Sequence, residues 1–404
     1  MISVDEALER ILSAFTPLPA ETISIGQAIG RVLAENITAR VDQPPHDVSA
    51  MDGYAVRAED LANGSAKLSV IGHAPAGHPC DKVVGPGQAV RLFTGSVVPK
   101  GADAIVIQED TEASGNHVTV NVSVPKGHYV RPAGLDFRIG TQGAPTGRQL
   151  TARDVGLAAA MNVPWVKVRR RPRIAILTTG DEVVLPGEPL GPGQIVASNG
   201  LALSAFVTVC GGEPMDLGVA PDQQDRLSGL MAAAKGADLL LTTGGASVGD
   251  HDLIRSTMDQ DDRALDFWRI AMRPGKPLIF GRLGTTPLLG LPGNPVSSLV
   301  CATIFLRPTM ERMMGRDPHG QRDETALLAS ALPENDQRQD YLRATLSYSP
   351  DGHLLAEPYN RQDSSMLATL SHSDCLIVRP PFAPAVGPGE SVKIVRLTGG
   401  CLSI

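Results

Sequence analysis

The order of apolar and polar residues in the first 170 positions predicts helices near both ends of that segment. Ser3 and Glu6 have the spacing of a capping box, and the apolar residues that follow recur at helical intervals through Phe15. The segment SIGQAIGRVL repeats the cap spacing and predicts a second helix that runs through Leu33. TARDVGLAAAMN, which begins at Thr151, predicts a third capped helix.

Residues 45–140 have a different pattern, with short alternating runs such as AVRLFTG, ADAIVIQ and HVTVNVSV separated by glycine and proline. This pattern predicts β-strands. Because helical segments flank the strands on both sides, we interpret 45–140 as a β-rich domain inserted into a helical linker domain made of 1–44 and 141–172.

From residue 173 onward, apolar strands alternate with amphipathic helices. RIAILTTGDE, MDLGVAPD and ADLLLTTGG are predicted strands, with one helix from Ser198 to Cys210 and another that ends at Lys235. A further helix from about Val296 to Met313 follows PLLGLPGNP. The alternation predicts an α/β domain over 173–318, in which helices cover both faces of a mostly parallel sheet.

The remaining residues, 319–404, return to a strand pattern, with a Pro-Asp-Gly turn at 350–352 and the run CLIVRPPF. They predict a C-terminal β barrel, with a small sandwich as the alternative. The predicted fold class is therefore α/β plus β, in an elongated multidomain chain.

Composition excludes several classes of protein. The chain has 43 acidic and 36 basic residues, for a net charge of -7, which argues against a nucleic-acid partner. Its five cysteines form no CxxC pair, so neither a disulfide framework nor a zinc knuckle is indicated. The N-terminus lacks the pattern of a signal peptide, and no apolar run is long enough to span a membrane. We expect a soluble, cytoplasmic protein without a membrane partner.

Glycines and acids are concentrated where the predicted parallel strands end, in TTGDE, PD, TTGGASVGDHD and LPGNP. In open α/β sheets, ligands bind beyond the carboxyl ends of the strands, where the strand order reverses. Glycines such as Gly244 and Gly245, with Ser247 beside them, allow backbone amides to approach a phosphate closely. The chain has neither GxGxxG nor a P-loop, so an ordinary dinucleotide or nucleotide-triphosphatase site is not indicated.

Carboxylates near a phosphate repel it unless a divalent cation lies between them. Glu182, Asp222, Asp250 and Asp252 carry hard oxygen ligands that suit Mg²⁺. Each acid taken alone is better explained as a helix cap or a solvated loop residue. Their position at several strand ends of one sheet favours the metal-binding interpretation.

FWRIAMRPGKP places Arg269, Arg273 and Lys276 within eight residues. This cluster supplies the local positive charge that the acidic chain otherwise lacks for binding an anion. A solvated basic edge is the alternative, although the flanking apolar residues argue against it. Ser247 has no evident histidine and carboxylate partners, so nucleophilic catalysis by this serine is not indicated.

Several motifs together resemble a known family. HDVSAMDGYAVR, RLFTGSVVPKGADAIV, TTGDE, TTGGASVGDHD, MRPGKP and GLPGNPVSS occur in this order over essentially the whole chain. In this the chain resembles the MoeA family and is similar to the C-terminal domain of gephyrin. The resemblance implies a homodimer that inserts molybdate into adenylated molybdopterin, with Mg²⁺ and release of AMP.

The resemblance also implies site residues in three parts of the chain. The inserted domain contributes residues that face the α/β domain of the partner subunit: Asp52, Thr94, Arg131 and Asp136. The α/β domain contributes Glu182, Asp222, Asp252, Pro292 and Pro295, together with the basic residues of MRPGKP. Arg343 and Ser364 are expected pocket residues of the barrel. Asp52, Glu182, Asp222 and Asp252 are the expected catalytic residues, and Glu182 and Asp252 the expected metal ligands.

Two other functions stay open at this point, a molybdopterin adenylyltransferase and a non-catalytic scaffold like gephyrin. The SAMDGYAVR segment argues against the first, and a chain that starts directly at its first helix argues against the second. Expected partners are a molybdopterin adenylyltransferase and downstream cofactor-modifying enzymes.

Relatives often have lysine where this chain has Arg269 and Arg273. Arginine keeps the positive charge but directs its hydrogen bonds from a planar group, so the contacts to an oxyanion differ. Whether molybdate or tungstate is preferred stays open.

Overall fold

The computed structural model describes residues 1–221, 229, 233–244, 263–319 and 324–397. Within these residues, no helix combines the length and the apolar character needed to cross a membrane.

The chain begins with the predicted capped helix, α1 (Val4–Ser13). The Ser3 hydroxyl accepts a hydrogen bond from the Glu6 amide at 3.1 Å, which satisfies one of the free amides of the first turn. Leu8 and Ile11 are fully buried in the core of the α/β unit, against the helices near residue 310. The predicted cap and apolar face of α1 are confirmed.

The predicted second helix is wrong. Residues 20–38 contain strands β1 (Ala20–Ser24) and β2 (Ile37–Thr38), with one 3-10 turn over Ile25–Gln27. Gly26 and Gly30 interrupt this segment, and Gly30 has a φ of 73°, which an α-helix does not allow. The cap pattern therefore produces a single turn and no further helix.

The inserted segment forms a β-rich module, as predicted. Six strands form a sheet in the order β7-β4-β6-β5-β9-β8, and β3 pairs with β10 beside it. The strands are β3 (Val48–Ser49), β4 (Gly53–Val56), β5 (Ala66–Ala74), β6 (Gln88–Leu92), β7 (Ala104–Ile107), β8 (Thr111–Ser114), β9 (His117–Val120) and β10 (Val130–Arg131). Two apolar clusters built from residues between 54 and 130 form its core in the described chain.

The chain leaves and re-enters the linker unit at neighbouring positions. Strand β11 (Gln142–Ala144) pairs with β2, and β12 (Trp165–Arg169) pairs with β1, both antiparallel. The Ala39 amide donates to the Thr141 carbonyl at 2.9 Å. Helix α2 (Ala152–Ala160) lies between the two strands and has a complete capping box, in which Thr151 and Asp154 bond each other. The predicted third helix is confirmed.

The α/β unit contains a six-stranded sheet in the order β16-β13-β17-β21-β20-β18. Strands β16, β13, β17 and β21 pair in parallel, and β20 alone runs in the opposite direction, because it pairs antiparallel with both β21 and β18; the prediction of a mostly parallel sheet is confirmed. Its elements are β13 (Arg173–Thr179), β14 (Val183–Val184), β15 (Ile195–Val196), α3 (Asn199–Val209), β16 (Glu213–Ala220), β17 (Leu239–Thr243), β18 (Arg263–Arg269), β19 (Met272–Arg273), β20 (Pro277–Leu283) and β21 (Thr286–Leu291). The predicted helix that ends at Lys235 lies largely outside the described residues.

Both faces of this sheet are buried. Ile174 and Ile176 lie in the core that includes α1 and α3, whereas Ala175 and Leu177 lie in a second core on the other face. This alternation explains why the strand sequence is apolar throughout.

The predicted helix after LPGNP is present over its expected length. It consists of α4 (Pro295–Cys301), a π-helical segment (Ala302–Leu306) and α5 (Arg307–Met313). Pro308 has no amide hydrogen to donate, which accounts for the interrupted α-helical pattern just before it.

The C-terminal unit is a closed barrel, which decides between the two predicted alternatives. Five strands follow the order β23-β24-β22-β26-β25, and β25 pairs again with β23. Strand β19 of the α/β unit joins this sheet through parallel pairing with β23. The elements are β22 (Thr325–Leu328), β23 (Gln339–Tyr348), β24 (Leu354–Pro358), helix α6 (Leu367–Ser371), β25 (Cys375–Arg379) and β26 (Ser391–Arg396).

Candidate functional site

The parallel sheet reverses its strand order between β13 and β17, because the chain first adds β16 on one side of β13 and then β17 on the other. Thr179 ends β13, and Gly244 follows β17 with a φ of 90°. A side chain on Gly244 would place its Cβ 2.3 Å from the Thr179 carbonyl oxygen, so only glycine fits. The predicted ligand-binding edge is therefore closely packed backbone at the switch point of the sheet.

Two threonine hydroxyls at this edge have no hydrogen-bond partner among the described residues. They belong to Thr179 and Thr242, which are both buried. A buried hydroxyl without a partner is uncommon in folded proteins and marks a place where a ligand or water contributes the missing bond.

The turn of the LPGNP segment lies against the end of β17. A Cβ on Gly293 would stand 3.4 Å from the Gly244 Cα, so the two glycines are in direct contact. The Asn199 side chain joins both loops, since its amide nitrogen donates to the Thr243 hydroxyl at 2.9 Å and to the Gly293 carbonyl at 2.7 Å. Asn199 was not among the predicted residues.

Pro292 and Pro295, predicted to bind substrate, belong to the same turn. Pro292 is buried, and its carbonyl lies 3.2 Å from the Thr243 hydroxyl. Pro295 is the first residue of α4, a position that suits proline because no helical amide bond is lost there.

Glu182 lies just beyond β13, at the same edge. Its carboxylate folds over Gly180, where a Cβ would stand 2.7 Å from a Glu182 carboxylate oxygen. The residue is exposed, and its main-chain carbonyl accepts from the Ile195 amide at 2.8 Å, which ties it to β15. The glycine in TTGDE is favoured by its own backbone, since Gly180 has a φ of 138°.

The barrel contacts this turn through Ser364. The Asn294 side-chain amide donates to the Ser364 hydroxyl at 2.9 Å, and the Val296 amide donates to the Ser364 carbonyl at 3.1 Å. The structure therefore brings Ser364 to the start of α4, beside Gly293.

Arg343 is almost completely buried below the loop that carries Ser364. Its guanidinium donates to the Gln362 side chain at 3.2 Å and to the Met366 carbonyl at 3.3 Å. Gln362 in turn bonds the backbone amide and carbonyl of Arg343 at 2.9 and 3.0 Å. Burial lowers the pKa of Arg343, and Asp363 nearby opposes that shift. Gln362 was not predicted, because its contacts to backbone leave no pattern in the sequence.

The three basic residues of MRPGKP and its neighbours have different surroundings. The Arg269 guanidinium lies 3.9 Å above the Trp268 ring, and its buried Nε has no partner among the described residues. Arg273 donates to Asp336 at 3.1 Å and to Asp340. Lys276 is exposed. Arg269 and Lys276 keep donors for an anion, whereas the charge of Arg273 is already paired with the barrel.

In the inserted module, Asp52 and Thr94 form a local pair. The backbone amide and the hydroxyl of Thr94 both donate to one carboxylate oxygen of Asp52, at 2.7 and 2.8 Å. These two bonds, the amide first, lower the pKa of Asp52, and the positive charge of Arg91 adds to the effect. Arg91, which was not predicted, lies over the Tyr54 and Phe93 rings and donates to the Gly53 carbonyl at 3.0 Å.

Arg131 and Asp136 are exposed residues of the same part of the chain. Arg131 lies opposite Val48 in the short ladder of β3 and β10. The Asp136 amide donates to the Gln43 carbonyl at 2.9 Å, at the base of the module. The predicted site residues within the described chain thus lie in two regions, one around the switch point and one on the inserted module.

Several predicted residues lie outside the described part of the chain, namely Asp222, Gly245, Ser247, Asp250 and Asp252. Among the described residues, no three acidic, histidine or cysteine side chains come together as a metal site. Glu182 suits Mg²⁺ by its chemistry, since it is an exposed carboxylate at the sheet edge.

Comparison with known proteins accounts for most of the chain. Residues 2–162 match the MoeA N-terminal region (domain I and II), 175–312 match the probable molybdopterin binding domain, and 325–397 match the MoeA C-terminal region (domain IV). The chain is 36% identical over 387 residues to the molybdopterin molybdenumtransferase of Nostoc sp., covering 93% of this chain and 88% of that protein. It is 33% identical to the protein of the same name from Haemophilus influenzae, covering 98% of each.

Among solved structures, the chain is similar to a molybdopterin biosynthesis MoeA protein from Pyrococcus horikoshii. The two share 32% of their sequence with a TM-score of 0.86, over 99% of this chain and 100% of the other. With matches to all three regions and relatives above 30% identity over nearly its full length, the chain belongs to the MoeA family.

Proposed function

We propose that this transferase of molybdenum cofactor biosynthesis inserts molybdate into adenylated molybdopterin and releases AMP. The observation that carries the proposal is the switch point, where Gly244 lies against Thr179 and Gly293, and where the Glu182 carboxylate lies over Gly180, the residue after Thr179. Backbone approach of this kind suits a phosphate, and the relatives named molybdopterin molybdenumtransferase supply the substrate class.

The chemistry needs no covalent intermediate on the protein. A molybdate or water oxygen attacks the phosphorus on the molybdopterin side of the anhydride, the bond from that phosphorus to the bridging oxygen breaks, and AMP leaves with that oxygen. Where molybdate is the nucleophile, water then hydrolyses the Mo–O–P bond. The two dithiolene thiols transfer their protons to one oxygen of molybdate, which leaves as water, and two S–Mo bonds form with no change of oxidation state. Buried amides and hydroxyls at the sheet edge orient the anhydride, while Arg269 and Lys276 stabilise the charge that develops on its oxygens.

We propose that Glu182 and Asp252 hold Mg²⁺ at this edge, with Asp222 nearby. When bound, the cation neutralises the repulsion between these carboxylates and the phosphate oxygens. The exposed carboxylate of Glu182, which lies over Gly180, supports this assignment.

We further propose a homodimer in which the inserted module of one subunit completes the site of the other. Exposed large apolar side chains support an interface around Glu182: Leu185, Leu190, Ile195, Val196 and Leu201. Leu135 and Ile139 are likewise exposed on either side of Asp136. Several exposed large apolar side chains within one short segment are typical of protein–protein contacts.

The enzyme is expected to work in the cytoplasm, between a molybdopterin adenylyltransferase that supplies its substrate and enzymes that modify or receive the cofactor. The adenylyltransferase function itself is the competing proposal. It predicts ATP consumption with molybdopterin, whereas our proposal predicts AMP release from adenylated molybdopterin without ATP.

The test is incubation of the protein with adenylated molybdopterin, Mg²⁺ and graded molybdate or tungstate, with AMP measured over time. We expect AMP release that depends on the oxyanion concentration. AMP release that is independent of molybdate and tungstate, or activity only with ATP, contradicts the proposal.

The metal assignment has its own test. Asp252→Ala should lose most molybdate-dependent AMP release while the protein stays folded, because the sequence predicts a polar position after a strand, where a single acid contributes little to stability. Asp250→Ala, two residues away, is the matched control and should be milder. Equal activity of wild type and Asp252→Ala at limiting Mg²⁺ contradicts the metal role.

A further inference from the structure

Asn199, the first residue of α3, connects the two loops that meet at the switch point. Its amide nitrogen lies 2.9 Å from the Thr243 hydroxyl and 2.7 Å from the Gly293 carbonyl oxygen. Thr243 is 44 residues from Asn199 in sequence and immediately precedes Gly244. Gly293 is 94 residues from Asn199 and contacts Gly244. We propose that Asn199 is a positioning residue that fixes the separation of these two glycines, an inference that rests on the proposed function.

The Thr243 hydroxyl extends this connection into the core. It is fully buried, accepts from Asn199, and lies 3.2 Å from the Pro292 carbonyl and 3.4 Å from the Ser298 hydroxyl. Loss of the Asn199 amide therefore removes one bond to each loop and unbalances a buried hydrogen-bond network.

The donor count explains why the Asn199 amide nitrogen acts through these loops and donates nothing to the substrate. A carboxamide nitrogen has two hydrogens, and protein acceptors take both. The remaining carbonyl oxygen is an acceptor, which has nothing to offer a phosphate. The side chain thus shapes the anion-binding edge while donating nothing to the anion.

Removal of the Asn199 side chain is expected to affect the alignment of the reacting phosphorus more than the affinity for the substrate. In Asn199→Ala, the glycine amides are still present, so the KM for adenylated molybdopterin should change within about 3-fold. The reacting phosphorus is held less accurately, and kcat should fall by roughly 10- to 100-fold.

Thr243 supplies the second arm of the test. Thr243→Val keeps the shape but removes the hydroxyl, and should lower kcat in the same way, whereas Thr243→Ser restores the hydroxyl and should recover most of the loss. Because the two residues act as one unit, Asn199→Ala with Thr243→Val should lose little more kcat than the worse single variant.

Asn36→Ala is the matched control for a merely structural asparagine. Asn36 accepts from the Thr146 amide at 2.8 Å and from its hydroxyl at 3.2 Å, in the linker unit. All variants are compared by AMP release and by thermal unfolding. We expect Asn199→Ala to lose kcat well beyond Asn36→Ala at a similar unfolding temperature.

Two results would overturn the inference while leaving the proposed function intact. One is a kcat of Asn199→Ala that equals that of an active wild type; the other is a kcat loss that Thr243→Ser shares with Thr243→Val. Absence of molybdate-dependent AMP release in the wild type contradicts the proposed function, and the inference with it.

Discussion

The position and the charge of single residues at the candidate site depend on hydrogen-bond partners that are distant in sequence. Asp52 is held by the amide and the hydroxyl of Thr94, which lies 42 residues later. Both bonds stabilise the ionised carboxylate, so the pKa of Asp52 is lowered. A carboxyl group with a lowered pKa stabilises the fold above its ordinary pKa, and that stabilisation is lost as the pH falls through the folded-state value.

Thr94→Val tests this arrangement. The variant keeps the amide bond to Asp52 but loses the hydroxyl bond, so the pKa of Asp52 should rise towards its ordinary value. If ionised Asp52 is needed for AMP release, the acid limb of the pH profile of kcat/KM moves to higher pH. Thr111→Val, which removes a hydroxyl bonded only to the Gln108 carbonyl in the same module, should leave the limb in place. An acid limb that does not move in Thr94→Val argues against a role of ionised Asp52.

The site could be predicted from sequence only where its chemistry follows a local pattern. The glycines and acids after β13 and β17 follow apolar runs, so Gly244 and Glu182 were found at the strand ends where the structure places them. Asn199, Gln362 and Arg91 were missed because each works through one or two contacts with distant backbone or ring atoms. Such contacts depend on the packed fold and leave no spacing signal.

The packing of strands in this protein depends on close contact between backbones as well as on the burial of apolar side chains. Gly53 in β4 lies so near β7 that a Cβ would stand 1.9 Å from the Val106 carbonyl oxygen. The obstacle is the backbone of the neighbouring edge strand β7, and it cannot rotate away as a flexible side chain can.

Gly53→Ala is therefore expected to lower the free energy of unfolding by about 3 kcal/mol or more, because the sheet must separate to admit one methyl group. Gly26→Ala is the control, since no atom lies within 4 Å of a Cβ at that position. It should change stability by less than about 1 kcal/mol. Urea unfolding of both variants decides the matter, and equal midpoints would contradict the close-contact explanation.

Sequence patterns correctly predicted the helices and strands that are determined by neighbouring residues in the chain. Caps predicted α1 and α2, and uninterrupted apolar runs predicted the parallel strands. The second predicted helix failed where glycines outweighed a cap pattern. Closure of the barrel depends on pairing between β23 and β25, with helix α6 and β24 between them in sequence, so the strand pattern alone did not decide between barrel and sandwich.

At the scale of the whole molecule, Arg273 connects the α/β unit to the barrel. It lies in β19, which pairs with β23, and it bonds Asp336 and Asp340 of the barrel. Asp340 is buried, which raises its pKa, and the bond from Arg273 opposes that shift. Asp336 has a pKa of about 2, chiefly because Arg338 bonds it.

Arg273→Gln leaves the Asp340 carboxylate buried without its cation, and the pKa of Asp340 should rise further. Unfolding free energy at neutral pH should fall by about 2 kcal/mol, a value reduced for the partial exposure of Arg273. A raised folded-state pKa stabilises the fold at low pH and loses that effect as the pH rises through it, so the deficit should shrink on acidification. Arg10→Gln, which breaks an exposed pair with Glu6, should show little change at either pH. A deficit that does not depend on pH contradicts this account.

The proposed composite site makes a prediction that only a dimer can satisfy. Asp52→Ala and Glu182→Ala should each be inactive, and mixing them under subunit exchange should restore activity. Half of the dimers are then mixed, and each carries one intact cleft, so recovery should approach about 25% of wild type if the clefts are independent. No recovery, after native mass spectrometry has verified exchange, would place both residues in a site within one chain.

The hydrogen bond between Ala39 and Thr141 has a consequence for the order of folding. The β1–β12 and β2–β11 pairs of the linker unit join strands that lie on opposite sides of the inserted module in sequence. Closing a flexible loop of about 100 residues is entropically costly, and non-local pairing of this kind slows folding. A module that has already folded brings its two ends together and removes most of that cost. The inserted module is therefore expected to fold first and to nucleate the unit from which it projects.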